Sequence, residues 1–194
     1  QIEIGYQGLT LNLANGEVRL GAFHDRLGQR ADAVAAYRRA LALAPPDDPE
    51  GVRAAASQGL RRIPDPRTAD AYRLSIEGWR LLQHRDLEKA GDALSRALSI
   101  APRDPVTHYR HARWLLERGD AAAALAEFEL VAAQRPVPPP TTLAGSCLEA
   151  ARLHERAGNL ARAVDLYHRA TRVRGADADT RHAAQQSLAR LHAR

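Results

Sequence analysis

Matching residues recur 34 positions apart in this 194-residue chain. A fixed period of this size is typical of a repeat array in which each repeat is one helical hairpin. One hairpin cannot bury its apolar face alone, so neighbouring copies stack and bury it together. Stacked hairpins offer a long surface without built-in chemistry, which favours binding. The matching pairs are Asp86 and Asp120, Ala90 and Ala124, Leu94 and Phe128, and Pro102 and Pro136.

Each copy begins with a turn and continues as a helix that ends near a proline or a glycine. In the first copy, Gly28 precedes Ala33, Tyr37 and Ala40, which share one helical face, and Pro45 follows. Small residues let two helices approach, and the larger residue fills the gap between hairpins. The other copies are Asp86, Ala90, Leu94, Ala97 and Pro102; Asp120, Ala124, Phe128, Val131 and Pro136; and Asn159, Ala163, Tyr167, Ala170 and Gly175.

These residues resemble the second half of the tetratricopeptide repeat signature, which is Ala-x3-Phe followed by Pro. The first half is degraded: Leu20-Gly21 and Gly78 match, but the Trp position holds other residues. The resemblance covers residues 14–175 in four copies. It implies an all-α, right-handed solenoid of stacked helical hairpins with about ten helices. The residues in the Trp position are Glu17, Leu74, His108 and Cys147.

The chain divides into an N-terminal stretch, the repeats and a last helix. Alternating apolar residues in 1–13 predict an extended arm or the end of a preceding domain, with a worn helix of an earlier repeat as the alternative. Residues 14–175 are the predicted array, with an extra helix at about 49–63 and a stiff Pro-rich connector at 136–140. Residues 177–194 are predicted to form a capping helix that shields the last repeat.

The composition favours closely packed helices, since 45% of the residues are hydrophobic, only 5% are aromatic and none is Met. The net charge is +5, and Lys89 is the only lysine. Excess arginine points to an anionic partner, such as an acidic peptide, a nucleic acid or a membrane surface. Arginines dispersed over solvated faces, as an Arg- and Ala-rich bacterial genome would produce, are the alternative that we favour.

The compartment stays open between cytoplasm and periplasm. Cys147 is the single cysteine, which excludes an internal disulfide and a multi-cysteine metal site. No apolar run approaches the roughly 18 residues that span a bilayer, and no signal peptide is visible. We expect a soluble fragment of a longer protein, since the chain begins at Gln1 and contains no Met.

Two residue pairs invite a metal-binding or catalytic interpretation. His108 and His111 are three residues apart on a predicted helix, but the sequence places no carboxylate or thiol to complete a metal site. Cys147 and His154 are about two helical turns apart, roughly 10 Å along the axis, which is too far for a nucleophile and its base. We predict no catalytic residue, no metal and no cofactor, and a protein that is not an enzyme.

The resemblance implies that the first helix of each hairpin lines a concave groove that binds a peptide or protein segment. Trp, Tyr and Arg are common in binding hot spots, and Arg holds a carboxylate with paired hydrogen bonds. The predicted partner therefore carries acidic and apolar side chains. The groove residues carried over from the resemblance are Tyr72, Ser75, Trp79, Tyr109, Arg110, Arg113, Arg152 and Arg156.

Several alternatives remain open. Tyr72 and Trp79 would be packing residues if they fill space beneath the extra helix, and Trp114, offset from the groove, is expected in packing. A basic solenoid surface would bind nucleic acid or anionic membrane if its arginines formed one stripe. The sequence lacks interleaved Lys, Gly and aromatic residues, which argues against nucleic acid. The array would also suit a docking or self-association module of a larger enzyme or complex.

Overall fold

The computed structural model describes residues 2–48, 50–63 and 65–193, and the side chains among them except those of residues 2–8 and 192. These residues contain ten α-helices and no strand, and 79% of the structure is helical. The predicted all-α class is confirmed. The helices are α1 (Ile2–Arg26), α2 (Arg30–Leu43), α3 (Val52–Arg61), α4 (Pro66–Gln83), α5 (Leu87–Ile100), α6 (Pro105–Glu117), α7 (Ala121–Ala133), α8 (Pro140–Arg156), α9 (Leu160–Arg172) and α10 (Ala178–His192).

The chain forms two compact units, unit 1 (Gln1–Arg73) and unit 2 (Leu74–Arg194). The division falls within α4, so unit 1 contains α1 to α3 and the start of α4. Unit 2 contains the rest of α4 and the helices α5 to α10.

The extended arm predicted for residues 1–13 is wrong, because α1 is one helix from Ile2 to Arg26; residue 1 lies outside the described residues. Leu11 packs inward against Ala14, whereas Leu9 and Leu13 are exposed. The alternating leucines therefore do not mark the two faces of a strand. Leu9 and Leu13, four residues apart, lie on one side of a helix, and Leu11 lies on the other.

Unit 1 is built around Tyr37 of α2. The Tyr37 ring occupies the space that a side chain at Gly21 of α1 or at Gly59 of α3 would need. Its hydroxyl donates a hydrogen bond to the buried Asp25 of α1 at 3.1 Å. Glycine at both positions therefore lets three helices pack closely around one aromatic ring.

Side chains cap both ends of α3, which lies within the stretch 49–63 where the sequence predicts an extra helix. The Asp48 carboxylate accepts from two backbone N–H groups of the first turn, at 2.8 and 3.1 Å. Arg30 donates to the carbonyls of Gly59 and Leu60 at 3.0 and 2.7 Å. The ends of a helix leave such groups without internal partners. These contacts fix α3 onto the first hairpin.

In unit 2, residues that are 34 positions apart have equivalent structural roles. Asp86 and Asp120 each cap a helix, because their carboxylates accept from the backbone N–H three residues later, at 3.3 and 3.0 Å. The equivalent residues Leu94 and Phe128 are completely buried. The period therefore combines a helix cap with the core residue that follows it two turns later.

α8 and α10 complete unit 2. α8 begins at Pro140, at the end of the Pro-rich stretch 136–140, and is buried along most of its length. α10 lies within residues 177–194, and the Asp177 carboxylate caps it by accepting from the Thr180 N–H at 2.7 Å. Ala184 and Leu188 of α10 join the same core cluster as α8 and α9.

Candidate partner-binding cleft

A charged cleft of about 630 Å³ lies beside α8 in unit 2. Glu149, Arg152 and Arg156 follow each other at steps of three and four residues, which places them on one face of α8. Glu155 lies next to this face, and α10 contributes Arg190. The cleft therefore draws its lining from two helices that are separated in the sequence by α9.

Glu149 holds two arginines at one side of the cleft. Its carboxylate accepts from Arg152 at 3.1 Å and lies 3.8 Å from the guanidinium of Arg113 on α6. The Glu149 side chain is only 13% exposed, whereas those of Arg113 and Arg152 are 35% and 44% exposed. The carboxylate is thus the buried partner, and the arginines are the groups that a partner can reach.

Glu155 holds the other side. It accepts from the Tyr167 hydroxyl of α9 at 2.8 Å and from Nη2 of Arg190 with both oxygens at 2.9 Å. This contact joins the cap helix α10 to the last hairpin. Arg156 is exposed, and no carboxylate of the described residues pairs with it. Three arginines and two glutamates line this cleft, which gives the lining a net charge of +1, and Arg113 adds a further positive charge beside Glu149.

Two of the predicted groove residues, Ser75 and Arg110, contact each other. Ser75 is completely buried, so its placement in an accessible groove is wrong. Its hydroxyl accepts from Nη1 of Arg110 at 2.9 Å. Arg110 thereby joins α6 to α4 within unit 2. The sequence pattern could not distinguish a groove position from a buried helix contact, because both recur with the same helical spacing.

Tyr109 and Trp79 are half-buried and take part in packing. The Tyr109 ring lies 5.8 Å from that of Phe128, and a β-carbon at Gly145 would lie 3.0 Å from it. Trp79 packs against the cluster that contains Leu94 and Trp114. Trp114 is 9% exposed and its indole N–H donates to the Leu87 carbonyl at 2.7 Å, as expected of a packing residue.

Tyr72 belongs to unit 1, where it contacts α1. Its ring lies edge-on to that of Phe23 with 6.5 Å between the centroids. The Arg26 guanidinium lies 4.3 Å from the centre of the Tyr72 ring, within the range of a cation–π interaction. Of the predicted groove residues, Arg152 and Arg156 thus line one cleft in unit 2, and Arg113 contacts Glu149 of that cleft.

Sequence reasoning missed Glu149, Glu155 and Arg190. Glu149 could have been predicted, because it lies three residues before Arg152 on the same helix face and is therefore placed to pair with it. Arg190 had no such signal. It reaches the cleft only because α10 folds back against α8 and α9, which spacing along the chain does not reveal.

The first and last hairpins share a detailed geometry. Gly28 and Gly158 both adopt left-handed backbone conformations, with φ of 77° and 79°. In each hairpin a tyrosine hydroxyl donates to the carboxylate twelve residues before it. The tetratricopeptide repeat family model matches both segments, residues 18–50 and 146–179.

These two segments are similar to tetratricopeptide repeats. Such repeats generally mediate protein–protein interaction, and the family is typically non-enzymatic. No curated protein matches the sequence. Within the described part of the chain, no helix is both long and apolar enough to cross a bilayer.

A histidine cluster lies between α6 and α7. Glu127 of α7 accepts hydrogen bonds from Nδ1 of His108 and, at 3.1 Å, from Nδ1 of His111. Nε2 of His108 donates to the Pro102 carbonyl at 3.0 Å. Glu127 is therefore the carboxylate beside the two histidines, which their spacing in the sequence did not reveal. The described residues form no group of three or more His, Cys, Asp or Glu arranged to hold a metal ion.

Both nitrogens of His108 point at acceptors, which favours the doubly protonated ring. Burial lowers the pKa of His108, but the hydrogen bonds to Glu127 and Pro102 outweigh it and raise that pKa above 6.5. Burial also opposes ionisation of Glu127, and its contacts with His108 and His111 nevertheless lower its pKa to about 2. The cluster is an ion pair between α6 and α7.

Cys147 and His154 of the last repeat do not meet. Cys147 is completely buried, and this burial raises the pKa of its thiol. Nε2 of His154 contacts the Glu129 carboxylate at 3.1 Å instead. The thiol therefore serves as a core residue, and the histidine joins α8 to α7.

Proposed function

We propose that this chain is a protein-interaction module whose unit 2 binds an acidic peptide segment in the cleft beside α8. The observation that carries the proposal is the arginine excess there: Arg152, Arg156 and Arg190 line the cleft with two glutamates, and Arg113 lies beside Glu149. A peptide carboxylate would add the negative charge that the cleft lacks. The known binding role of tetratricopeptide repeats supports a protein partner.

Glu149 and Glu155 order the arginines that they contact before a partner binds. Glu149 and Glu155 are largely buried, at 13% and 14% side-chain exposure, and each contacts at least one cleft arginine. A guanidinium has five N–H donors, and Arg190 uses one nitrogen, Nη2, for both contacts with Glu155. Donors on its other nitrogens remain for a peptide carboxylate. Because Arg113, Arg152 and Arg190 already contact these glutamates, ordering them on binding costs less side-chain entropy.

A polyanion such as nucleic acid fits the surface less well. Outside the cleft, many arginines already pair with nearby carboxylates, which spreads alternating charge over the surface rather than one basic stripe. These pairs include Arg39 with Glu17, Arg67 with Asp65, Arg73 with Asp70, Arg80 with Glu77, and Arg96 with Asp92.

The test uses fluorescence anisotropy with a labelled peptide that contains several Glu and Leu residues, and a matched peptide with Gln in place of Glu. We expect the acidic peptide to bind and the Gln peptide to bind at least tenfold more weakly. Reversing charge with Arg156→Glu should reduce binding of the acidic peptide by tenfold or more, since one partner of a carboxylate contact is lost. Arg174→Glu, at an exposed position outside the cleft, is the matched control.

Three outcomes would overturn the proposal. These are equal binding of the acidic and Gln peptides, a loss of binding in Arg174→Glu as large as that in Arg156→Glu, and no binding of either peptide. A labelled oligonucleotide of equal charge serves as a further probe. Tighter binding of the oligonucleotide, with a steep loss on addition of salt, would replace the peptide with nucleic acid as the partner.

A further inference from the structure

The solvent-facing side of α1 is unusually apolar for this chain. From residue 9 onward, the exposed positions of α1 include Leu9, Leu13, Leu20 and Phe23, which are 57%, 51%, 39% and 45% exposed. Together with Gly16 they follow steps of four, three, four and three residues, the spacing of a helix face that packs against another helix. We call these five residues the α1 stripe. Arg19 is the one charged residue among the exposed positions of this segment.

The equivalent face of α8 is covered. The shared Gly28 and Gly158 turns, and the tyrosine contacts to Asp25 and Glu155, relate the two hairpins by a shift of 130 residues. This shift matches Leu13 to Leu143, Gly16 to Ser146, Leu20 to Ala150 and Phe23 to Leu153. The α8 residues are 6%, 0%, 0% and 5% exposed.

α7 contributes to the cover on α8. Leu143, Ala150 and Leu153 share one core cluster with Phe128 and Ala132 of α7. The α1 stripe has the same register as this packing face, but its large side chains remain 39–57% exposed, although Phe23 also contacts Tyr72. A helix that covered the stripe would remove the apolar surface of four large side chains from water, which is favourable.

From this geometry we infer that the α1 stripe pairs with the α1 stripe of a second copy of the chain, antiparallel and about a two-fold axis at Gly16. Leu9 and Phe23 are each seven residues from Gly16, and Leu13 and Leu20 are three and four residues from it. An antiparallel pair would therefore place Leu9 opposite Phe23 of the other copy, and Leu13 opposite Leu20. A two-fold interface requires this self-complementarity.

Gly16 permits the close approach that such a pair needs. A β-carbon there would meet no atom of the chain within 4 Å, so the position is open, and the absent side chain lets two helix backbones come together. The stripe itself contains no charge, as an interface between two apolar faces requires. Arg19 lies three residues from the axis, so its two copies would be about 9 Å apart along the antiparallel helices.

The alternative contact between copies, α1 of one chain against the C-terminal end of another, fits less well. The exposed positions of α10 include Arg181, Gln185, Gln186 and Arg190, which would leave polar groups without partners against an apolar stripe. The α1 pair is small, below the roughly 1,200 Å² typical of stable complexes. We therefore expect micromolar rather than nanomolar dimerisation.

Sedimentation over low to high micromolar protein tests the inference. We expect the weight-average mass of the wild type to rise toward that of a dimer, and Leu13→Arg to keep the monomer mass throughout with an unchanged circular dichroism spectrum. Leu160→Arg, at a position of unit 2 that is 47% exposed, is the matched control and should dimerise as the wild type does. A constant monomer mass for the wild type, or an equal loss in both variants, overturns the inference.

A crosslink locates the axis. Gly16→Cys in a Cys147→Ala background should form a disulfide-linked dimer under mild oxidation, because only residues near the axis bring their own copies within the 4.4–6.8 Å between Cα atoms that a disulfide needs. Arg38→Cys in the same background, exposed on α2, is the control. Crosslinking of both variants at equal rates, or of neither, overturns the antiparallel pairing.

Discussion

Tyr37 fills the space that a side chain at Gly59 would occupy, so α2 and α3 meet where a residue larger than glycine does not fit. We expect Gly59→Ala to destabilise unit 1 by about 1–2 kcal/mol, because overpacking against a rigid ring costs about 1–3 kcal/mol and improved helix propensity returns less than about 1 kcal/mol. Urea unfolding followed by circular dichroism measures the change.

Gly16→Ala is the control for this prediction. It makes the same substitution within a helix, but its β-carbon meets nothing within 4 Å. At low protein concentration we expect it to stabilise the chain by up to about 1 kcal/mol, since alanine loses less backbone entropy than glycine. Equal effects of the two substitutions would show that propensity, not the Tyr37 contact, decides the cost at Gly59.

Arg30 is the main partner of a buried carboxylate. It donates to Asp25 at 2.9 Å while holding the end of α3, and the Asp25 side chain is only 5% exposed. Arg30→Ala should cost about 2 kcal/mol or more, because it leaves a buried charge with less compensation. Arg39 lies on the same helix as Arg30 and pairs with Glu17 of α1, and its side chain is 52% exposed. Arg39→Ala breaks this pair and should change stability little. Thermal unfolding measures the loss of stability in each variant, and similar losses in the two would contradict this prediction.

We expect opposite changes in stability when two buried serines, Ser146 and Ser75, are replaced by alanine. The Ser146 hydroxyl has no hydrogen-bond partner within the described residues, whereas the Ser75 hydroxyl accepts from Arg110. Removing an unsatisfied hydroxyl relieves a desolvation cost, so Ser146→Ala should be neutral or stabilise unit 2 by up to about 1 kcal/mol. Ser75→Ala should destabilise it by about 1 kcal/mol or more. Equal changes in the denaturant midpoint would contradict the assigned contacts.

Local spacing was enough to predict the repeated hairpins. Asp86 and Asp120 cap helices, and Leu94 and Phe128 fill the core, so each residue type at its position states a local physical requirement. The N-terminal helix was missed for a related reason. Leu9, Leu11 and Leu13 fit period two as well as a helix, and the short segment taken alone gave no way to choose.

The candidate cleft was only partly predictable. Arg152 and Arg156 could be placed on one helix face from their spacing, but Ser75 could not be recognised as buried, since its burial depends on how α6 meets α4. The role of Arg190 likewise depends on the packing of α10. Contacts between elements that are distant in sequence decide accessibility, and helical periodicity contains no information about them.

The ion pair between His108 and Glu127 predicts how stability depends on pH. The folded pKa of His108 is raised above 6.5, so its contribution is complete below pH 6.5 and is lost as pH rises through the folded value. The folded pKa of Glu127 is lowered from 4.5 to about 2, so its contribution is present above pH 4.5 and is lost as pH falls toward 2. The pair therefore stabilises unit 2 most between about pH 4.5 and 6.5.

Glu127→Gln tests this pH dependence of stability. The substitution removes the negative charge that raises the pKa of His108, and it keeps the shape of the side chain. We expect a loss of about 1–3 kcal/mol near pH 5.5 and a smaller loss at pH 9, because the contribution of His108 declines as pH rises through its raised pKa. The groups facing His108 include His111, Asp104 and the Pro102 carbonyl, and the variant retains all of them. His182→Gln, at an exposed histidine of α10, is the control and should leave the pH profile of the unfolding free energy unchanged. If Glu127→Gln shifts that free energy equally at pH 5.5 and pH 9, the contact is not an ion pair, and His108 contributes through packing alone.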